Sequence, residues 1–354
     1  MSTMQGAECV ADYQRAAQAR LDERVWAYLQ DGDADGEDAA GASVSASVRL
    51  MPRPLTRVTG GHTRLSLFGQ SLAHPFLTAP VAYQRLFHAH GELASALAAS
   101  AQGGQQIISS LASHTFADIV QAAGEGGGPG PWFQLYWQQD RAHTLRLLRR
   151  AEEAGCTAVV FTVDAPIKLA TMSLPADIQA VNLEPTLAGA DAPRRDGDSR
   201  VFDGWMAQAP DWADLAWLRA QTSLPLLIKG ILHPDDAWQA VEAGCDGIVV
   251  SSHGGRVLRG AASSWTCLPA VLRRTEGRVP VLLDSGIRSG QDAFAALAMG
   301  ATAVLVGRPY VWGLAANGAM GVAHVIRLLR DELEMTMALT GCRMLSDIGP
   351  DRLA

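Results

Sequence analysis

The segment SSHGGR, residues 251 to 256, sets an imidazole, His253, three positions from a guanidinium, Arg256. An imidazole can take a proton near neutral pH, and a guanidinium can grip a carboxylate through forked hydrogen bonds, so the pair suits proton abstraction beside a carboxylate. A lone histidine is commonly structural, and it is the pairing that makes this one a candidate base. Asp164, which closes the run AVVFTVD, could hold the imidazolium that forms. Lys229, which closes PLLIKG, is costly to bury without an anion. Asp164, Asp284 or an anionic cofactor would each serve. Further on, DSGIRSG and GRP pair glycines with Arg288 and Arg308, and SGQD starts a helix whose backbone N–H groups can face an anion. Glycine allows close backbone approach, arginine forks onto oxygens and helix N-termini favour negative charge, so these segments form a candidate phosphate site.

Such residues need elements that bring them together. From about residue 76 onward, short apolar runs alternate with amphipathic stretches: 76 to 80, 106 to 110, 132 to 137, 158 to 164, 225 to 230, 247 to 252, 280 to 286 and 303 to 309. These runs are apolar on both faces, as parallel strands are when helices cover one side and a barrel interior the other. Eight strand–helix repeats predict an α/β fold, a closed (β/α)8 TIM barrel spanning 76 to 340. An open doubly wound sheet would give the same local pattern, but GxGxxG after a first strand is absent. In a barrel the chemistry sits at the C-terminal strand ends. Those ends carry Ser109, Gln134, Tyr136, Thr162, Asp164, Lys229, Ser251, His253, Arg256, Asp284, Arg288 and Arg308.

Residues 165 to 224 form a long excursion after the fourth strand, and its part up to about 210 predicts a lid over the barrel mouth. Residues 1 to 75 form an N-terminal extension, with helices over 8 to 30 and an extended lead-in with a hairpin over 49 to 69. A last amphipathic helix covers 319 to 340, and the whole chain, 1 to 354, makes one domain. The net charge of -7 and the absence of a basic run argue against nucleic acid or anionic lipid as partners, leaving small-molecule chemistry. Five scattered cysteines without CxxC spacing argue against a disulfide framework and a metal site, and no stretch is long enough to span a membrane. A cytoplasmic protein is expected.

The segments APVAYQ, FQLY, TVDAP, LIKG, SSHGGR, DSGIRSGQD, GRPYVWGLAANG and TMALTGCR stand in this order, and over about Val25 to Cys342 the chain resembles the FMN-dependent L-2-hydroxy acid oxidising family. Glycolate oxidase, lactate oxidase and mandelate dehydrogenase belong to that family. The resemblance implies FMN as cofactor and oxidation of a small L-2-hydroxy acid to the 2-oxo acid, with electrons passing to oxygen or another acceptor. It implies that backbone at Pro80, Val81 and Ala82, with Ser109, Gln134, Thr162, Lys229 and Ser251, holds the isoalloxazine and ribityl groups. Asp284, Ser285, Gly286, Ile287, Arg288, Gly307 and Arg308 would hold the phosphate. Tyr28 and Arg256 would bind the substrate carboxylate, Tyr136 would sit near the substrate hydroxyl, and Asp164 would orient His253. His253 would take the hydroxyl or the α-carbon proton, by a carbanion or a hydride route. The family tends to homotetramers.

Three departures bear on the substrate. Where the family follows TVD-x-P with an arginine-bearing segment that helps bind carboxylate, this chain has Leu169, Ala170 and Thr171. Ser252 and Arg259 replace an asparagine and an aspartate, and Leu111 stands where a tryptophan is common. The missing arginine favours larger apolar hydroxy acids, unless the lid brings another cation such as Lys168. An enzyme is one reading; a flavin-binding protein that has lost turnover is another, which retention of His253, Arg256, Tyr28, Tyr136 and Asp164 disfavours. A different FMN barrel, of the type 2 isopentenyl diphosphate isomerase kind, has no use for the His253 and Arg256 pair.

Overall fold

The computed structural model describes residues 6–32, 48–166, 173–184 and 197–354. Two helices lead in, α1 (Val10–Arg20) and α2 (Glu23–Gln30), the second capped by Asp22, whose carboxylate accepts from the Arg24 and Val25 N–H groups. A hairpin of β1 (Leu65–Leu67) and β2 (Gln70–Leu72) follows.

The barrel then alternates strand and helix: β3 (Phe76–Thr78), α3 (Gly91–Ala101), β4 (Gln105–Ser109), α4 (Phe116–Glu125), β5 (Trp132–Tyr136), α5 (Arg141–Ala154), β6 (Val159–Thr162) and α6 (Trp212–Gln221). The second half is β7 (Leu226–Ile231), α7 (Pro234–Glu242), β8 (Gly247–Val250), α8 (Ser264–Thr275), β9 (Val281–Leu283), α9 (Gly290–Ala298), β10 (Ala303–Val306) and α10 (Arg308–Thr340). All neighbours pair in parallel and β10 closes onto β3. The eight apolar runs are these eight strands. The last of them is shorter than expected, because the chain turns at Gly307 and Arg308 already begins α10. That helix breaks at Asn317 and Gly318, so the amphipathic stretch from 319 is its second part.

A strand shows alternate residues to opposite sides, and here that alternation builds the site. One buried cluster takes every second residue: Leu77, Ile107, Trp132, Val160, Leu227, Val249, Leu282 and Leu305. Stepping two residues onward along the same strands gives Ala79, Ser109, Gln134, Thr162, Lys229, Ser251, Asp284 and Gly307. The chemistry-bearing residues thus continue the inward face of the barrel toward its C-terminal end. The opposite end is stopped by the hairpin, where Phe68 meets Trp132 edge-on at 5.6 Å and Gln70 accepts from the Trp132 indole N–H at 3.1 Å. Helices pack outside, with α1 against α10 through a 2.8 Å contact between the Tyr13 hydroxyl and His324 Nδ1. No helix among the described residues is long and apolar enough to cross a membrane.

Candidate active site

A cavity of about 900 Å³ opens at the C-terminal end of the barrel. Its walls include Ala79 to Tyr83, Ser109, Tyr136, Lys229, His253, Gly254, Arg256, Asp284 to Arg288, Gly307 and Arg308, with Tyr28 contributed by α2. The floor is ionic. Lys229 is buried, and its ammonium lies 3.0 Å from Asp284 Oδ2 and donates to Ser251 Oγ at 2.9 Å, while that hydroxyl donates to Asp284 at 2.7 Å. Burial pushes the Lys229 pKa down, but Asp284 and Asp164 outweigh it, and the net shift is upward. Of the two carboxylates the sequence offered for Lys229, Asp284 is the one in contact.

His253 follows β8 in a left-handed conformation, φ 56°, with its N–H donated to Ser251 Oγ at 3.0 Å. Its Nδ1 is 2.9 Å from Asp164 Oδ1 and its Nε2 is 3.3 Å from the Tyr136 hydroxyl. Burial raises the Asp164 pKa, yet the charges of His253 and Lys229 overcome this and leave it below the ordinary value. An ionised carboxylate only accepts, so the proton of a neutral His253 sits on Nδ1 and leaves the Nε2 lone pair toward the cavity side. Burial drives the Tyr136 pKa far upward, which keeps the phenol protonated and able to donate to that lone pair. The glycine of LIKG has a steric reason: a Cβ on Gly230, at φ +103°, would lie 2.4 Å from Asp164 Cγ. A register shift in the β7–β8 pairing falls at the same place.

The expected FMN residues can be tested against buried polar atoms. Gln134 Nε2 and Thr162 Oγ1 are buried on the inward face and have no partner among the described residues, although Gln134 Oε1 accepts from Ser109 and Ser110. A flat heterocycle rich in donors and acceptors would satisfy such atoms. Gln134, Thr162 and Ser251 do not themselves form the cavity wall but lie among the residues beneath it. Toward the far end, Arg288, Gly307 and Arg308 line the wall beside the Ser285–Gly286 turn, whose φ values are 85° and 77°. These residues fit a ribityl phosphate.

One expectation needs correction. The N-terminus of α9 is closed by carboxylates, since Asp292 Oδ2 accepts from the Arg288 and Ser289 N–H groups and Glu332 Oε2 accepts from Gly290 N at 2.7 Å. The helix that opens at the cavity is α10, whose Gly307 cap makes no side-chain bond. The two arginines also do more than face ligands. Arg256 Nη2 donates to the carbonyls of Tyr28 (2.9 Å) and Leu29 (2.6 Å), and its guanidinium lies 5.4 Å from the Tyr28 ring. Arg308 donates to the carbonyls of Leu29, Asp31 and Gly254.

Sequence reasoning missed a buried network that shapes the wall. Glu92 on α3 is fully buried and accepts from Gln84 N, Ser113 N and Ser113 Oγ, at 3.0, 2.9 and 2.7 Å. Gln84 also donates to the Tyr310 hydroxyl, which donates to the Ala79 carbonyl. The signal was present in APVAYQ and GRPYVWG, but a carboxylate inside an alanine-rich helix carries no spacing that ties it to either. On the excursion after β6, Leu174, Leu183, Val201 and Trp205 line the cavity together with Leu111. Lys168, Leu169, Ala170 and Thr171 lie outside the described residues.

Comparison with known proteins identifies the family. Residues 17–354 match the family described as FMN-dependent dehydrogenase. An L-lactate oxidase from Alicycliphilus denitrificans is 48% identical over 350 residues, 97% of this chain and 95% of that protein. A 4-hydroxymandelate oxidase from Amycolatopsis orientalis is 43% identical, covering 94% of each. A crystal structure of mandelate oxidase with (S)-2-phenylpropionate superposes with a TM-score of 0.86 at 39% identity, covering 99% of this chain and 98% of that one.

Proposed function

The chain belongs to the FMN-dependent dehydrogenase family and uses FMN to oxidise 2-hydroxy acids, and on that premise we propose that its substrates are L-2-hydroxy acids with a bulky apolar substituent, with His253 as base and oxygen as electron acceptor. The observation that carries the mechanism is the relay Asp164–His253–Tyr136, with His253 Nε2 turned from its carboxylate partner toward the cavity. Bound FMN supplies a two-electron acceptor. A substrate hydroxyl held beside the Tyr136 hydroxyl, itself 3.3 Å from His253 Nε2, would let His253 receive its proton or that of the adjacent α-carbon. Asp164 then stabilises the imidazolium at Nδ1. Arg256 and Tyr28, whose ring lies 5.4 Å from the guanidinium, would hold the substrate carboxylate. Gln134, Thr162 and Lys229 would hold the ring system of the cofactor, and Arg288, Gly307 and Arg308 would hold its phosphate. The segments 173–184 and 197–211 form part of a lid, and the oxidase names of the relatives support oxygen as acceptor. A homotetramer, in line with the resemblance, completes the proposal.

The substituent follows from the lid side of the cavity, where Leu111, Leu174, Leu183, Val201 and Trp205 present carbon. Burying apolar surface contributes about 25 cal/mol per Å². A charge-assisted hydrogen bond contributes about 1.5 to 3 kcal/mol, so without a lid arginine a small acid such as glycolate loses the most. In a series from glycolate through lactate to mandelate, kcat/KM should rise with apolar surface, and Thr171→Arg should help glycolate most. A wild type that prefers glycolate, or a Thr171→Arg variant that leaves small-acid turnover unchanged, would show that the lid does not set specificity this way.

A further inference from the structure

The end of α2 meets the catalytic loop backbone to backbone. Gly32, two residues past the helix, has φ +91°, and a Cβ built on it would lie 2.3 Å from the Gly254 carbonyl oxygen and 2.9 Å from the Arg256 nitrogen. The contact is reciprocal, since a Cβ on Gly255, at φ +76°, would lie 2.3 Å from the Gly32 carbonyl oxygen. At this separation neither position admits even alanine. The last carbonyls of a helix lack intrahelical partners and attract cations. Here Arg256 takes those of Tyr28 and Leu29, and Arg308 spans Leu29, Asp31 and Gly254, tying the segment to the loop and to the start of α10.

We propose that Gly32 is a positioning residue for substrate binding: its seat on Gly254 and Gly255 fixes where Tyr28 and Arg256 stand relative to His253. The inference rests on the reading of Tyr28 and Arg256 as carboxylate ligands. Both residues sit within the contact, Tyr28 on the last turn of α2 and Arg256 next to Gly255, so prising the backbones apart displaces both. Misplacement by about 1 Å can cost on the order of a hundredfold in rate. Gln134 Nε2 and Thr162 Oγ1, on the cofactor side, belong to β5 and β6, away from this seat, while Arg308 joins the seat to the phosphate end.

The test compares Gly32→Ala with Gly69→Ala in the holoenzyme. Gly69 shares the positive φ, +75°, but a Cβ there meets nothing within 4 Å. The dissociation constant of benzoylformate, an unreactive 2-oxo acid, is read from the flavin absorption, and that of FMN from reconstitution. Gly32→Ala should weaken benzoylformate about tenfold or more and raise KM, while FMN affinity, reached through Arg308, falls clearly less; Gly69→Ala should change neither. Benzoylformate binding like wild type in Gly32→Ala, or equal losses of acid and FMN affinity, overturns the proposal. Arg256→Lys separates the two layers: if it binds the acid as tightly as wild type, the carboxylate reading fails and the proposal with it. If Arg256→Lys is weak and Gly32→Ala is intact, the seat alone fails. Should Gly32→Ala not fold, amide exchange on the wild-type holoenzyme decides. Benzoylformate should slow exchange in residues 26–32 and 253–256 together, and protection of the second segment alone overturns the proposal.

Discussion

His253 occupies a left-handed backbone position that non-glycine residues rarely adopt, φ 56°, and the hydrogen bond from its N–H to Ser251 Oγ helps hold it there. Because the imidazole is fixed by Asp164 rather than by the cofactor residues, His253→Gln should retain FMN. Loss of a positioned base typically forfeits ~10² to 10⁴-fold in rate, and anaerobic flavin reduction by substrate should fall by that range. Reduction at the wild-type rate would remove His253 from the mechanism. Asp164 gives a pH test. Its pKa in the folded protein lies below the ordinary 3.8, so its contribution to stability is present above that value and is lost as pH falls through the lower folded value. The Tm advantage of wild type over Asp164→Asn should therefore still be present at about pH 5 and be lost only in stronger acid. A difference that vanishes already near pH 6 would show a carboxyl whose pKa burial has raised rather than one its cationic neighbours have lowered. His253, Asp164 and Lys229 were legible in the sequence because each closes an apolar run, and strand alternation then decides which way it faces. The partner of Lys229 was not legible, since Asp164 and Asp284 both end strands and only the barrel's closure sets their distances from the ammonium.

At the level of elements, the strands were read well because their apolar runs are local, whereas contacts between elements were read poorly. SGQD is a helix start under either reading; whether its N–H groups face a ligand or their own carboxylate depends on Asp292 and on Glu332, which lies 42 positions beyond Gly290. Nor does the sequence show that Glu92 joins the loop after β3 to the loop after β4, since its three donors come from Gln84 and Ser113. Those two loops carry Pro80 to Tyr83 and Leu111, all on the cavity wall. Glu92→Ala leaves buried donors unsatisfied at about 1 to 3 kcal/mol each, so it should lower Tm and weaken FMN together. Glu92→Gln, which keeps an acceptor for the two N–H groups while the Ser113 hydroxyl can turn to accept, should lose much less. Equal losses in both variants would mean that charge, not bonding, is what Glu92 contributes.

Across the whole molecule, the hairpin stops one end of the barrel and the other end opens into a cavity to which many strand ends contribute. A ligand seated there contacts most of the repeats at once, so its binding energy adds to the stability of the entire fold rather than of one loop. Binding to the folded state alone stabilises by RT ln(1 + [L]/Kd), about 2.7 kcal/mol when FMN stands at a hundred times its Kd. Apoprotein should therefore melt at a Tm that climbs with the logarithm of added FMN once its Kd is passed. FAD should do markedly less. Its adenylate would have to continue past Arg308, whose guanidinium is bonded to the Leu29, Asp31 and Gly254 carbonyls, and separating these would cost the seat that holds α2. Differential scanning fluorimetry of apoprotein titrated with FMN, FAD and riboflavin measures both points. Riboflavin, lacking the phosphate, should stabilise less than FMN because the Arg288, Gly307 and Arg308 wall is left without its anion. Equal stabilisation by FMN and riboflavin would remove the phosphate role from that wall, and equal stabilisation by FMN and FAD would show that the segment at Arg308 does not close the site.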